Sequence, residues 1–142
     1  MNIYLLDTNI ISEPTKISPN ENVLQKLADN LEYSSISAVN WVEMLAGIKS
    51  LPEGKRKNGL FDYSIEYVQK QYEILSFDAS AANIYSDLYE RLKSKGAPAQ
   101  RFDLMIASIA ISNNLILVTR NIDDFTAISE NSNLMIENWF EE

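Results

Sequence analysis

The sequence predicts an α/β fold in which a mostly parallel sheet is covered by helices on both faces. Short apolar stretches alternate with longer segments of helical periodicity, and the stretches are continuous rather than alternating in polarity, as strands buried on both faces are. The position of the first acid points the same way. Asp7 stands where Ile3-Tyr4-Leu5-Leu6 runs out, and open parallel sheets bind ligands beyond the carboxyl ends of their strands.

The elements follow in order. After the first strand a short helix begins near Thr8 and breaks at Pro14. Ser18-Pro19-Asn20-Glu21 announces a second helix, with Ser18 as N-cap, Pro19 as first helical residue and Glu21 as capping-box acid. Val23, Leu24, Leu27 and Leu31 then keep helical spacing. Tyr33 to Ser37 reads as a strand that leads into a helix from Ala38 to Lys49, ending before Pro52. A helix over Lys55 to Gln71 precedes a third strand, Glu73 to Phe77. Asp78 caps the next helix, which runs to Lys95 and is closed by Gly96 and Pro98. Last come a helix from Arg101 to Asn113, the strand Leu115 to Thr119, and a short strand near Met135-Ile136.

Composition narrows the chemistry. The 142 residues, 46% hydrophobic and 23% charged, suit a single globular domain over 1–142 with a substantial core. No apolar run approaches the roughly 20 residues that cross a bilayer, and Met1-Asn2-Ile3-Tyr4 lacks the basic start of a signal peptide. The expected location is cytoplasmic. Zero Cys removes disulfides and thiolate metal sites, and zero His removes the commonest general base and zinc ligand. Hydrolysis would have to lean on carboxylates. A net charge of −8 argues against a broad duplex-DNA-binding surface. It leaves open a metal-dependent nuclease, whose cation reverses the local field toward phosphate. Two basic groups, Lys49 with Lys55-Arg56-Lys57 and Arg91, Lys93, Lys95 with Arg101, would flank such a centre, or else are ordinary solvated charges.

Two further acids sit on helix stripes that hold apolar residues. Glu43 lies four residues after Val39 and three before Ala46; Asp103 precedes Ile106, Ala107 and Ala110 on one face. A buried carboxylate without a partner is costly, so inward acids imply a cation or a metal. Each has a plainer explanation: helix capping for Asp7, helix-dipole stabilisation for Asp103, an imperfect stripe for Glu43. A fourth region, Thr119-Arg120-Asn121-Ile122-Asp123-Asp124-Phe125, follows a strand end, and Asn121 or Asp124 would complete an oxygen-ligand cluster there, unless the segment is simply a turn. Oxygen donors alone suit Mg²⁺ or Mn²⁺.

Five stretches carry a family resemblance. They are Leu5-Leu6-Asp7-Thr8-Asn9; Ser35-Ile36-Ser37 with Glu43-Met44-Leu45-Ala46-Gly47; Gly96-Ala97-Pro98 leading into Asp103-Leu104-Met105-Ile106-Ala107; Leu117-Val118-Thr119-Arg120-Asn121 with Asp124-Phe125; and Ile136-Glu137-Asn138-Trp139. In this order the chain resembles PIN-domain proteins of the VapC type, toxins of toxin–antitoxin pairs. The resemblance implies a three-layer α/β/α sandwich, Mg²⁺- or Mn²⁺-dependent cleavage of single-stranded RNA, a homodimer, and a small antitoxin that covers the site. Asp7, Glu43 and Asp103 match the family's metal-binding acids, and Thr8, Asn9 and Thr119 are supporting residues. The family's fourth acid falls where this chain has Asn121, with Asp124 nearby. Lys49, Arg101 and Arg120 are candidate RNA contacts. The other readings are a non-catalytic PIN-like module that binds RNA or protein and, from another class, a phosphoacceptor receiver domain. The latter would need its acids close together after the first strand rather than on helices.

Overall fold

The computed structural model describes residues 1–141. Strands β1 (Tyr4–Leu6), β2 (Ser34–Ser37), β3 (Glu73–Leu75), β4 (Ile116–Val118) and β5 (Ile136–Glu137) form one sheet in the order β3-β2-β1-β4-β5, with every pair parallel. The chain therefore builds outward from β1 on one side, returns across it, and builds outward again from β4. The gap between β1 and β4 is the topological switch point, where crossovers leave on opposite sides and a crevice opens past the strand ends. Register decides what lies in that crevice. Leu6 pairs with Val118, so the next residues, Asp7 and Thr119, emerge side by side.

Two apolar layers enclose the sheet. Successive strand residues face opposite ways, and accordingly Leu5 and Leu117 join one core while Leu6 and Val118 join the other. The first core is roofed by α6 (Ala79–Ser94), α7 (Arg101–Ser112) and α8 (Thr126–Glu130). The second lies under α1 (Thr8–Ile11), α2 (Glu21–Asp29), α3 (Ala38–Lys49) and the long helix after it. This is the three-layer α/β/α arrangement. Trp139 closes the second core at 1% exposure, its ring edge-on to Tyr4 with centroids 5.2 Å apart; truncating such a residue to Ala costs about 3–5 kcal/mol.

Several local expectations change. The second helix starts at Glu21, and its N-cap is Asn20, whose side-chain oxygen accepts from Val23 N at 3.0 Å. Ser18 and Pro19 precede the helix. The reason lies in Glu13, which is buried and takes the Asn20 N–H at 2.8 Å, pinning the chain into an extended approach. Leu31 falls beyond the helix in a 3-10 turn, Leu31–Tyr33. The helix expected over Lys55 to Gln71 is α4 (Lys55–Asp62), a wider π-helical stretch (Tyr63–Val68) and α5 (Gln69–Gln71). Along it Phe61 and Tyr67 are exposed while Val68 is buried. The expected α6 cap holds: Asp78 accepts from Ala81 N at 3.0 Å, and Gly96 turns the chain afterwards at φ 65°. Helix α8 and the 3-10 turn Ile122–Phe125 carried no clear periodicity because each is five residues or shorter. Among the described residues no helix is long and apolar enough to cross a membrane.

Candidate active site

Asp7 lies in the crevice at the end of β1 with 8% of its surface exposed. Its carboxylate is held from several directions. Oδ1 accepts from Thr8 N at 2.8 Å and Asn40 Nδ2 at 2.9 Å; Oδ2 accepts from Thr119 Oγ1 at 2.7 Å and, more loosely, Asn9 Nδ2 at 3.4 Å. An N-cap ordinarily accepts from the second or third helical N–H. Asp7 instead takes the first, and its shortest other bonds come from Asn40 in α3 and Thr119 just after β4, so capping a four-residue helix does not explain it. Burial pushes its pKa up and Asp124 adds to the rise, against the lowering effect of Thr119, Thr8 and Asn40.

Glu43 reaches the same crevice from α3, with Oε1 accepting from Thr8 Oγ1 at 3.1 Å. Its pKa is raised by burial and by the charge on Asp7, with the Thr8 hydrogen bond opposing. Asp103 comes from the first turn of α7. Dipole stabilisation there would lower its pKa, yet its carboxyl is pushed up to about 6, by burial first and then by Asp124, Asp7 and Glu43 in that order. Asp124, exposed in the 3-10 turn after β4, therefore acts electrically on both Asp7 and Asp103. Asn121 is exposed; its backbone N–H donates to Thr119 Oγ1 at 3.0 Å and its carbonyl accepts the Asp124 N–H at 3.1 Å, while its side chain makes no hydrogen bond among the described residues.

These four acids have no Lys or Arg within ion-pairing distance among the described residues. Each remaining charge therefore repels the others without local compensation. The donor set is all oxygen, which fits a hard divalent cation. Among the described residues no three acidic side chains close into a ready-made ligand cage. Magnesium does not require one, since it keeps several waters and takes one or two carboxylates directly.

Two residues that support the candidate site, Asn40 and Ser37, were missed in the sequence. Asn40, 2% exposed, spans Asp7 Oδ1 and Thr8 Oγ1 (3.3 Å), while its own oxygen accepts from Ser37 Oγ at 2.6 Å. Ser37 in turn caps α3 by accepting from Asn40 N at 2.9 Å. The available signal was an amide three positions before Glu43 on the same apolar stripe. Asn9 braces the β4 end, accepting from Arg120 N at 3.1 Å. The candidate RNA contacts are not gathered with the acids. Lys49 is exposed at the end of α3, Arg101 is exposed at the start of α7, and the Arg120 guanidinium sits over the Phe140 ring, 4.5 Å from its centroid.

A family model described as "PIN domain" matches residues 4–131. The chain belongs to the PIN domain family. Its relatives include a protein named "Plasmid stability protein StbB" from Pseudomonas syringae pv. tomato, 34% identical over 91% of this chain and 95% of that one. "Ribonuclease VapC2" of Rickettsia felis is 34% identical over 96% of this chain and 98% of its own, and "Toxin FitB" of Neisseria gonorrhoeae 35% over 88% and 92%. Among solved structures, FitAcB from Neisseria gonorrhoeae superimposes with a TM-score of 0.89 at 31% identity, covering 99% of this chain and all of that one. In this PIN domain the acids Asp7, Glu43, Asp103 and Asp124 are carried by the end of β1, by α3, by α7 and by the turn after β4.

Proposed function

We propose that this protein is a divalent-metal-dependent endoribonuclease that hydrolyses phosphodiester bonds of single-stranded RNA and serves as the toxin of a toxin–antitoxin pair. The observation that carries the reading is the group of four carboxylates at the switch point, electrostatically frustrated and without a cationic side chain to relieve them. Relatives named ribonuclease and toxin support it. Asp7 and Asp103 would hold Mg²⁺ or Mn²⁺, with Asp124 rather than Asn121 in the fourth place, because Asp124 supplies a charge felt by both. The chemistry such an ion supplies is polarisation of a phosphate oxygen and a lowered pKa for a bound water.

The protein's own part is orientation. Thr119, Asn40 and the Thr8 N–H fix the plane of the Asp7 carboxylate, as supporting hydrogen bonds around ligands generally do. Glu43, steadied by the Thr8 hydroxyl, orients the attacking water in line with the scissile bond. A small antitoxin protein, association of two copies through exposed Phe61 and Tyr67, and a cytoplasmic setting complete the proposal.

Purified protein incubated with a single-stranded oligoribonucleotide should cleave it in Mg²⁺ or Mn²⁺, stop in excess EDTA, and lose activity in Asp103→Asn. Undiminished cleavage in EDTA or by the variant overturns the reading. Failure to bind either ion in a calorimetric titration favours the non-catalytic PIN-like binding module instead.

A further inference from the structure

Gly47 has no reason within the fold to be glycine. It sits inside α3 at an ordinary helical φ, where glycine destabilises relative to alanine, and a Cβ built on it would meet nothing within 4 Å. Neither a left-handed backbone nor a tight neighbour demands it. What it does is leave open a groove of about 280 Å³, bounded by α1, α3 and α4, whose wall it forms together with Glu43, one helical turn before it. Met44, Ile48 and Leu60 supply an apolar floor, Thr8 joins the groove to the acidic crevice, and Arg56 and Lys16 stand on its rim. Lys16 is paired with buried Glu13 at 2.8 Å, while Arg56 has no carboxylate partner among the described residues.

A second groove meets the crevice from the other side, but it is lined by Asp123, Asp124 and Glu141 against the single cation Arg120. A polyanion leaving the crevice is repelled on that side and attracted on this one.

We propose that the groove beside Gly47 is a nucleotide subsite of the RNA substrate: the nucleotide next to the scissile phosphate lays its base on the Met44–Ile48–Leu60 floor and its phosphate against Arg56. This deepens the ribonuclease reading and rests on it. A base needs a flat, unobstructed wall, which a bulky side chain at position 47 would block, while the single methyl of alanine meets nothing there. The same basic segment, Lys55-Arg56-Lys57, otherwise has no role in the site, and Lys57 is committed to Glu53 at 2.8 Å.

Binding of a fluorescent single-stranded oligoribonucleotide, measured in Ca²⁺ across several salt concentrations, separates this subsite from the acids. Arg56→Gln should weaken binding roughly three- to tenfold and flatten the salt dependence by about 0.7 in log–log slope, the value of one single-strand phosphate contact. Gly47→Phe should fold, as its melting temperature will show, and lose affinity, whereas Gly47→Ala should keep it. Mg²⁺ binding should be unchanged in all three. Arg56→Gln and Gly47→Phe proteins that bind the oligonucleotide like the parent overturn the subsite while leaving the ribonuclease reading intact; loss of binding to a protein partner with RNA affinity unchanged does the same and assigns the groove to that partner. If the parent itself binds no RNA, the subsite falls together with the function.

Discussion

The Thr119 hydroxyl donates to Asp7 Oδ2 at 2.7 Å across 112 positions of sequence. Its direction follows from the partner: an ionised carboxylate can only accept, so the hydroxyl proton goes to Asp7 while a lone pair of Thr119 Oγ1 accepts the Asn121 N–H at 3.0 Å. One fully buried hydroxyl thus orients the first acid and shapes the turn that carries Asp124.

Thr119→Val keeps the shape and removes these two bonds together with the looser one that Thr119 Oγ1 accepts from Asn9 Nδ2 at 3.4 Å. Leaving a buried carboxylate oxygen and an N–H without this partner should cost about 1–3 kcal/mol and lower RNA cleavage at saturating metal. Chemical denaturation and a cleavage assay check the two effects. A variant as stable and as active as the parent would show that other donors suffice.

Asn40→Ala should disorder Asp7 and Thr8 together, since one amide serves both. Supporting residues of this kind change metal affinity or activity by about 10–100-fold. Asn40→Asp should be worse, because it places a carboxylate where Asp7 receives a donor. Calorimetric Mg²⁺ titration of both variants is the measurement, and unaltered affinity in Asn40→Asp would contradict the assignment.

In the absence of divalent ions Asp103→Asn should raise the melting temperature while abolishing cleavage. Removing one of four mutually repelling acids relieves strain that an ion would otherwise neutralise. Adding Mg²⁺ should stabilise the parent by mass action and the variant much less. A lower melting temperature for the variant in EDTA would mean that Asp103 is a structural residue.

Stability should depend on pH in a definite sense. The Asp103 carboxyl, pushed up to about 6 from an ordinary 3.8, binds its proton more tightly in the folded chain than in the unfolded one. Its stabilising contribution is therefore complete below the unfolded value and disappears as pH rises through about 6. Asp7 and Glu43 shift in the same direction. Glu13 opposes them: burial alone would raise its pKa, but the Lys16 contact, the Asn20 N–H and the charge of Arg120 bring it below its usual value. Its contribution holds above the ordinary glutamate range and fades as pH falls. Metal-free protein should accordingly be more stable on the acid side of neutrality than at alkaline pH. Because Asp103 is only partly buried, the gain is on the order of 1 kcal/mol after solvent screening. Stability that climbs steadily from acid to alkaline pH in EDTA would refute the repulsion among the acids.

What the sequence determined by itself was the order of the strands and most of the longer helices, and the kind of donor atoms available for chemistry. The apolar runs at Leu5-Leu6 and Leu117-Val118 and the inward acids Glu43 and Asp103 are local patterns, set by which side chains water excludes and which it keeps. The absence of His and Cys limited the donors to oxygen. The tertiary structure alone decided how distant residues meet. The register of Leu6 against Val118 puts Thr119 beside Asp7, and α3 brings Asn40 under both Asp7 and Thr8. Likewise the buried Glu13 carboxylate, by taking the Asn20 N–H, displaced a helix start that local capping rules put at Ser18. Hydrogen bonds between residues dozens of positions apart leave no periodicity to read; they exist only once burial has excluded water as a competing partner, and that exclusion is a property of the packed sheet and its helices.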